Sequence, residues 1–221
     1  DGIDWVRLMY FYPMYVDDRL IRTIAESDKI VPYIDMPLQH INDEMLRRMA
    51  RRVTRNETEE LLGKLRDEID DLVLRTTFIT GIPGETDGQF DELVQFVEQQ
   101  RFERVGVFTY SFEPDTPAAN LPNHLAEEVK QERRERLMAA KQAIAFAWNE
   151  SQIGSTRDVL LDQPLPDQEG VWIGRTYGDA PDVDNLVYVT GEGLSAGQFV
   201  PCEVVASQGY DLVGAAVGEP K

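Results

Sequence analysis

Two patterns of hydrophobic and polar positions divide the chain. Up to about Tyr110, short apolar runs alternate with segments whose apolar residues recur at helical spacing. The runs predicted as strands are WVRLMYFYP, VPYIDMPLQ, VLRTTFITG and RVGVFTYSF, and the segments predicted as helices are YVDDRLIRTIAES, NDEMLRRMARR, NETEELLGKLRDEID and ETDGQFDELVQFVEQQ. Because the strands are apolar on both faces, the alternation predicts a parallel sheet covered by helices, an α/β fold.

The pattern changes after this region. A Pro-rich stretch, EPDTPAANLPNHL, precedes a long charged helix, and the remainder consists of short strand-like runs separated by Gly, Pro and Asp. Such runs predict a small all-β module, which is best closed into a barrel because closure removes exposed edges. We therefore expect an α/β part over residues 1–125, a connecting helix over 126–151 and a β-barrel over 152–221.

Charge narrows the range of partners. The chain carries 22 Lys and Arg against 40 Asp and Glu, a net charge of −18 with a pI near 4.4. The electrostatic field of this negative charge disfavours general binding to nucleic acid. The charge is explained either by simple solubility or by binding to a basic protein. No apolar run approaches the roughly 18 residues of a membrane span, so no membrane is expected. The abrupt start, without Met or a signal peptide, suggests a piece of a longer protein.

The cysteine content bears on the compartment and on metal binding. The single cysteine, Cys202, excludes internal disulfides and an all-cysteine metal site in this piece. It lies in a strand-like run and is predicted to be a buried small hydrophobe. The compartment is therefore expected to be reducing, and the protein cytoplasmic.

Polar or glycine residues follow each predicted strand of the α/β part, at residues 11–13, 37–40, 81–85 and 110–113. In parallel sheets the carboxyl ends of the strands share one functional edge, so we expect these residues to form one rim. His40 could be a base, a ligand contact or a hydrogen-bond partner at the helix entry, and a satisfied loop histidine is as well supported. No second His or Cys lies near it in the sequence, which argues against a metal site.

The sequence GIPGET, at residues 81–86, follows the third strand. It lacks the Gly-Lys-Ser/Thr ending of a phosphate loop, yet its glycines permit close backbone approach. Glu85 and Asp87 would repel a phosphate, so a nucleoside without phosphates suits the turn better. Arg75, early in the same strand, either pairs with a structural carboxylate or binds a ligand carboxylate, and its position favours the structural pair.

Three long segments carry a resemblance to a known family: PYIDMPLQHINDEMLRRMARR, LRTTFITGIPGET and RVGVFTYSFEPDTPAANLP. In this order and spacing they resemble the radical-SAM methylthiotransferases, and the C-terminal β module resembles their TRAM domain. WVRLMYFYP, PLQH and GRTYGDAPDVDNLVYVTG favour the RimO-type branch, which modifies an aspartate β-carbon in a small-subunit ribosomal protein. The MiaB-type branch, which modifies tRNA, and a non-catalytic protein-binding module remain alternatives.

The resemblance implies a fold, cofactors and site residues. Residues 1–125 would be the C-terminal part of an open, partial TIM-like radical-SAM barrel, followed by the OB-like TRAM barrel. The intact enzyme would use S-adenosyl-L-methionine and two 4Fe–4S clusters, whose cysteine ligands this chain lacks, so the piece alone is expected to be inactive. The residues implied to contact S-adenosylmethionine are Gln39, Arg75, Ile79, Gly81, Phe108 and Tyr110. No residue of the piece is predicted to be catalytic or to bind a metal.

The charge of the β module bears on its partner. Residues 152–221 carry three Lys and Arg against eleven Asp and Glu. A module that holds tRNA needs cationic faces, because phosphate contacts dominate such affinity. We therefore expect the acidic TRAM module to bind a basic small-subunit ribosomal protein, although the whole chain is acidic.

Overall fold

A parallel sheet forms the first half of the protein. The computed structural model describes residues 2–221, which divide into two units after Ile144. The strands of the first unit are β1 (Val6–Leu8), β2 (Ile30–Asp35), β3 (Val73–Thr80) and β4 (Arg104–Thr109), hydrogen-bonded in that order and all parallel. This arrangement confirms the predicted α/β fold. The first strand is shorter than its apolar run, because Tyr10 turns to φ +62° and a 3₁₀ turn begins at Pro13.

Helices alternate with these strands as the pattern predicts. They are α1 (Asp18–Ala25), α2 (Asp43–Arg48), α3 (Arg55–Glu68), α4 (Asp87–Gln100) and the long α5 (Glu127–Gln152). Asn42 is the residue that caps α2, since its side chain accepts from the backbone N–H groups of Glu44 and Met45. Thr54 and Thr86 begin α3 and α4 with reciprocal capping boxes, which satisfy two otherwise unpaired backbone donors at each helix start.

Alternation along β3 separates the two faces of the sheet. Leu74 and Phe78 are buried with the helices, while Arg75, Thr77 and Ile79 point to the opposite face and remain partly exposed. Phe78 is fully buried and packs edge-on against the rings of Phe96 and Phe102, with centroids 6.3 and 6.0 Å away. The helical face is thus sealed by core packing. We call the opposite face, which stays partly exposed along β3, the open face.

The second unit begins at Ala145, within α5, and contains a closed barrel. Its strands are β5 (Thr156–Pro164), β6 (Val171–Arg175), β7 (Val187–Thr190), β8 (Phe199–Gln208) and β9 (Asp211–Ala216), in the spatial order β5-β6-β7-β9-β8. The closed barrel confirms the predicted all-β module. Its core consists of inward-facing apolar residues that include Cys202, which is fully buried as predicted. Within residues 2–221, no helix has the length and apolar character that a bilayer span requires.

Candidate functional site

The carboxyl ends of β2, β3 and β4 are joined by backbone hydrogen bonds that continue past the strands. Gln39 donates its N–H to Thr77 O at 2.8 Å and accepts from Ile79 N at 2.9 Å. Tyr110 donates its N–H to Thr80 O at 2.8 Å. The loops after these strands therefore form a continuous rim, in which Gln39 adopts φ +69° and is half-buried.

The turn after β3 depends on the absence of a side chain at its first glycine. Gly81 has φ +75°, and a Cβ placed there would overlap Cγ of Lys130. Lys130, from α5, runs its aliphatic stem across the glycine and donates from Nζ to Tyr110 O at 3.1 Å. Only glycine allows this crossing, which ties the ends of β3 and β4 to the first turns of α5.

Glu85 lies at the centre of the turn rather than on its surface. Its carboxylate accepts from the backbone N–H of Gly81 at 2.8 Å and from Arg133 Nη1 at 2.6 Å, and its other oxygen lies 3.1 Å from His40 Nε2. All three side chains in this cluster are buried. The GIPGET turn is therefore a closed ionic and hydrogen-bonded unit, and the N–H of Gly81 is already engaged.

His40 acts here as the helix-entry hydrogen-bond partner. Its Nδ1 accepts from the N–H groups of Ile41 and Asn42, at 2.9 and 3.0 Å. An acceptor at Nδ1 assigns the proton of the neutral ring to Nε2, which can then donate to Glu85. Both ring nitrogens are occupied, so His40 positions the turn and the start of α2.

Arg75 pairs with Asp35 on the open face of the sheet. The two residues are register partners in β3 and β2, and Nη1 lies 2.6 Å from Oδ1. The Asp35 side chain is fully buried, and its other oxygen accepts from the N–H of Tyr10 at 3.2 Å. Of the two roles considered for Arg75, the structural pair is the one formed in this structure.

Ile79, Phe108 and Tyr110 lie beside one another at the rim. Ile79 and Phe108 are register partners in β3 and β4, and the Phe108 side chain is 61% exposed on the open face. The Tyr110 hydroxyl is buried, and no hydrogen-bond partner reaches it from the described residues 2–221. Its ring contacts that of His124, with centroids 5.9 Å apart. A buried hydroxyl without a partner is a costly arrangement unless a ligand supplies the bond.

The structure brings most of the predicted site residues to one rim. Gln39, Ile79, Gly81 and Tyr110 meet there with Phe108, whereas Arg75 lies four residues earlier than Ile79 on the same face of β3. Sequence reasoning did not predict that the Glu85 carboxylate is buried inside the turn, where it accepts from Gly81 and Arg133. It also missed the two α5 cations that contact the turn, Lys130 and Arg133. The only local signal was the dense charge at the start of α5.

Metal-binding groups are sparse in this region. Among residues 2–221, no cluster of three or more His, Cys, Asp or Glu side chains has a metal-binding arrangement. The one cysteine lies inside the barrel, where burial raises the pKa of the Cys202 thiol from 9.0 to about 11. At neutral pH this thiol stays protonated, which makes it a poor metal ligand.

Comparison with known proteins adds a family context. Residues 3–97 match the radical SAM superfamily, and residues 153–217 match the TRAM domain. The ribosomal protein uS12 methylthiotransferase RimO of Desulfitobacterium hafniense is 45% identical over 98% of this chain, and that of Syntrophotalea carbinolica is 46% identical over 97%. The chain is a homologue of the RimO methylthiotransferases.

The match covers only part of those relatives. The chain spans about half their length, 48% of the Desulfitobacterium protein and 47% of the Syntrophotalea protein. Among solved structures, coproporphyrinogen III oxidase from Escherichia coli, a radical SAM enzyme, aligns with 97% of this chain and 52% of its own. That alignment has a TM-score of 0.49 and 18% identity.

Proposed function

We propose that these residues form part of a radical-SAM methylthiotransferase that adds a methylthio group to the β-carbon of an aspartate in ribosomal protein uS12. The observation that carries the proposal is the 45% identity to a uS12 methylthiotransferase across 98% of the chain. The order of parts agrees with it, since a parallel half-barrel with an open rim precedes a TRAM barrel.

The rim suits S-adenosylmethionine as a ligand. The buried Tyr110 hydroxyl has no hydrogen-bond partner within residues 2–221, and the exposed Phe108 ring offers an apolar surface beside Ile79. In the proposed enzyme Ile79, Gly81 and Phe108 pack near the adenine, while the Gln39 amide and the Tyr110 hydroxyl supply polar contacts. The N–H of Gly81 already donates to Glu85, so it is not available to the ligand. Gly81 would instead let the ligand approach the backbone closely, because it has no side chain.

S-adenosylmethionine bound at this rim would supply the chemistry that activates a C–H bond of the target aspartate. This chain's residues would bind and orient the ligand and exclude water around it. Arg75 is a further candidate, for the methionyl carboxylate, and it would have to share its guanidinium with Asp35.

The residues present do not fit an iron–sulfur cluster. A 4Fe–4S cluster is held by thiolates, and the single cysteine is a buried thiol inside the barrel with a raised pKa. Both clusters of the proposed enzyme would therefore be held by residues from the part of the relatives' length that this chain does not span. Alone, the chain is proposed to be inactive.

We also propose that the acidic TRAM barrel carries the contact with uS12. Residues 152–221 hold three basic and eleven acidic residues, a balance that attracts a Lys/Arg-rich protein and repels tRNA. A ribosomal protein as substrate supports a cytoplasmic location for the proposed enzyme.

Tyr110 offers a test of the ligand site. In the full-length protein, Tyr110→Phe should weaken S-adenosylmethionine binding by about fivefold in calorimetry, since a buried hydrogen bond contributes about 1 kcal/mol. The same change should leave thermal stability without ligand unchanged or higher, because it removes an unsatisfied buried hydroxyl. Val205→Ala on the barrel surface is the control. Unchanged affinity in Tyr110→Phe would remove Tyr110 from the site.

A further inference from the structure

A groove crosses the outer surface of the barrel. Residues that alternate with the buried core positions of β6, β7 and β9 point outward and form its floor. Its lining residues are Leu165, Gln168, Val171, Tyr188, Thr190, Gln208 and Val213, and its volume is about 410 Å³. A second depression, formed by the turn between β5 and β6, shares Leu165, Gln168 and Val171 with the first. The two are therefore continuous.

Three of the four polar side chains that line the first depression are not used by the fold. The exception is Thr190, whose hydroxyl donates to Gly214 O at 3.4 Å. Within residues 2–221, no hydrogen bond of the structure engages the side-chain amides of Gln168 and Gln208 or the hydroxyl of Tyr188. Leu165, Val171 and Val213 supply apolar surface between them. An amide can donate and accept at once, so this combination matches the alternating groups of an extended peptide backbone.

The charges around the groove have one sign. The turn that extends it contributes the exposed carboxylates of Asp167 and Glu169, and neither depression has a Lys or Arg in its lining. A nucleic-acid strand would find no cation for its phosphates here, whereas Lys and Arg side chains would meet carboxylates at the rim.

We propose that this groove, which we call the β6–β7–β9 groove, binds an extended Lys/Arg-rich segment of uS12 and so places the substrate on the enzyme. The proposal rests on the proposed function, which names the partner, and adds the surface that holds it. The floor packs apolar side chains, the glutamine amides pair with the peptide backbone, and Asp167 and Glu169 receive the cations.

Fluorescence anisotropy with labelled uS12 and the full chain tests this surface. The double substitution Asp167→Lys and Glu169→Lys should weaken binding by about tenfold at moderate salt. The control, Glu203→Lys with Glu219→Lys, makes the same change in net charge at exposed positions outside the groove lining and should weaken it less than about threefold. A charge-neutral variant, Gln168→Ala with Gln208→Ala, should also weaken binding, by roughly threefold. Thermal melting checks that each variant is folded.

The possible outcomes distinguish a failure of the groove proposal from a failure of uS12 as the partner. Equal weakening by the groove and control charge variants overturns the groove proposal and leaves uS12 as partner. A second probe, a short peptide of alternating Lys and Val, is titrated in parallel. If uS12 fails to bind while this peptide binds and loses affinity in the groove variants, uS12 is overturned as the occupant and the groove is supported as a site for an extended basic peptide. If neither probe binds, the groove proposal is overturned.

Discussion

Arg133 Nη1 donates to both the carboxylate and the backbone carbonyl of Glu85, at 2.6 and 3.0 Å, and both side chains are buried. The two residues are 48 positions apart in the sequence. Through this contact a helix that follows the whole sheet holds the turn that follows β3. The shape of the rim therefore depends on α5 as much as on the turn's own glycines.

Breaking this pair should destabilise the first unit strongly. Glu85→Gln removes the charge while keeping the shape. Among residues 2–221 it leaves the buried Arg133 guanidinium with only the exposed Asp87 as a carboxylate partner. We expect the free energy of unfolding to fall by about 3 kcal/mol in urea denaturation followed by circular dichroism. Asp87→Asn is the matched control and should have a much smaller effect, since that carboxylate is 96% exposed. Equal losses in the two variants would contradict the role given to Glu85.

Two glycines should respond to alanine in opposite ways. Gly81→Ala adds a Cβ at φ +75° that overlaps Lys130, so it should cost about 2 kcal/mol or more in stability. Gly63→Ala lies in the exposed interior of α3 with open space around it, and it should stabilise by about 0.5–1 kcal/mol. Adding Lys130→Ala to Gly81→Ala should recover part of the loss. If Gly81→Ala were as stable as the parent protein, the described crossing of Lys130 would be wrong.

The periodicity of apolar residues was enough to predict the helices and strands. It could not predict which side chains of distant elements contact one another. Alternating apolar runs predicted all four strands of the sheet and the barrel strands, because burial on one or both faces determines which residues a strand can carry. Asn42 and Asp43 both have side chains that favour the start of a helix, and only the structure shows that Asn42 is the cap of α2.

Only part of the candidate site could be predicted from the sequence pattern. The sequence places Glu85 at a helix start, where an acidic residue favours the helix dipole and would repel a phosphate. Its burial follows from Arg133 and His40, and no local pattern shows which distant cation a carboxylate will meet. For Arg75 the sequence left two roles, a structural ion pair or a contact with a ligand carboxylate. The register of β2 against β3 places Asp35 beside Arg75, and this shows which pair forms.

The pair of Asp35 and Arg75 should behave as a coupled unit. Asp35→Asn and Arg75→Gln should each lower the free energy of unfolding, since each leaves a partly or fully buried polar partner. In a double-mutant cycle we expect a coupling free energy of about 1 kcal/mol or more. Strictly additive effects would show that the ion pair contributes no stability.

The raised pKa of Cys202 leads to a prediction at alkaline pH. The folded thiol has a pKa of about 11 against an ordinary value of 9.0, so the folded state keeps a proton that the unfolded chain releases. This contribution to stability is complete below pH 9 and is lost as the pH rises to about 11. Urea unfolding from pH 8 to 11 should show a steeper loss of stability for the parent protein than for Cys202→Ala. Parallel profiles would mean that the thiol does not titrate differently on folding.

The central claim is that these residues belong to an enzyme that modifies an aspartate of uS12. The most direct measurement is mass spectrometry of uS12 and of total tRNA from cells with and without the full-length gene that encodes this chain. We predict that one aspartate-containing peptide of uS12 carries a methylthio group only when the gene is present, with tRNA unchanged. An unmodified uS12 together with newly methylthiolated tRNA would contradict the account.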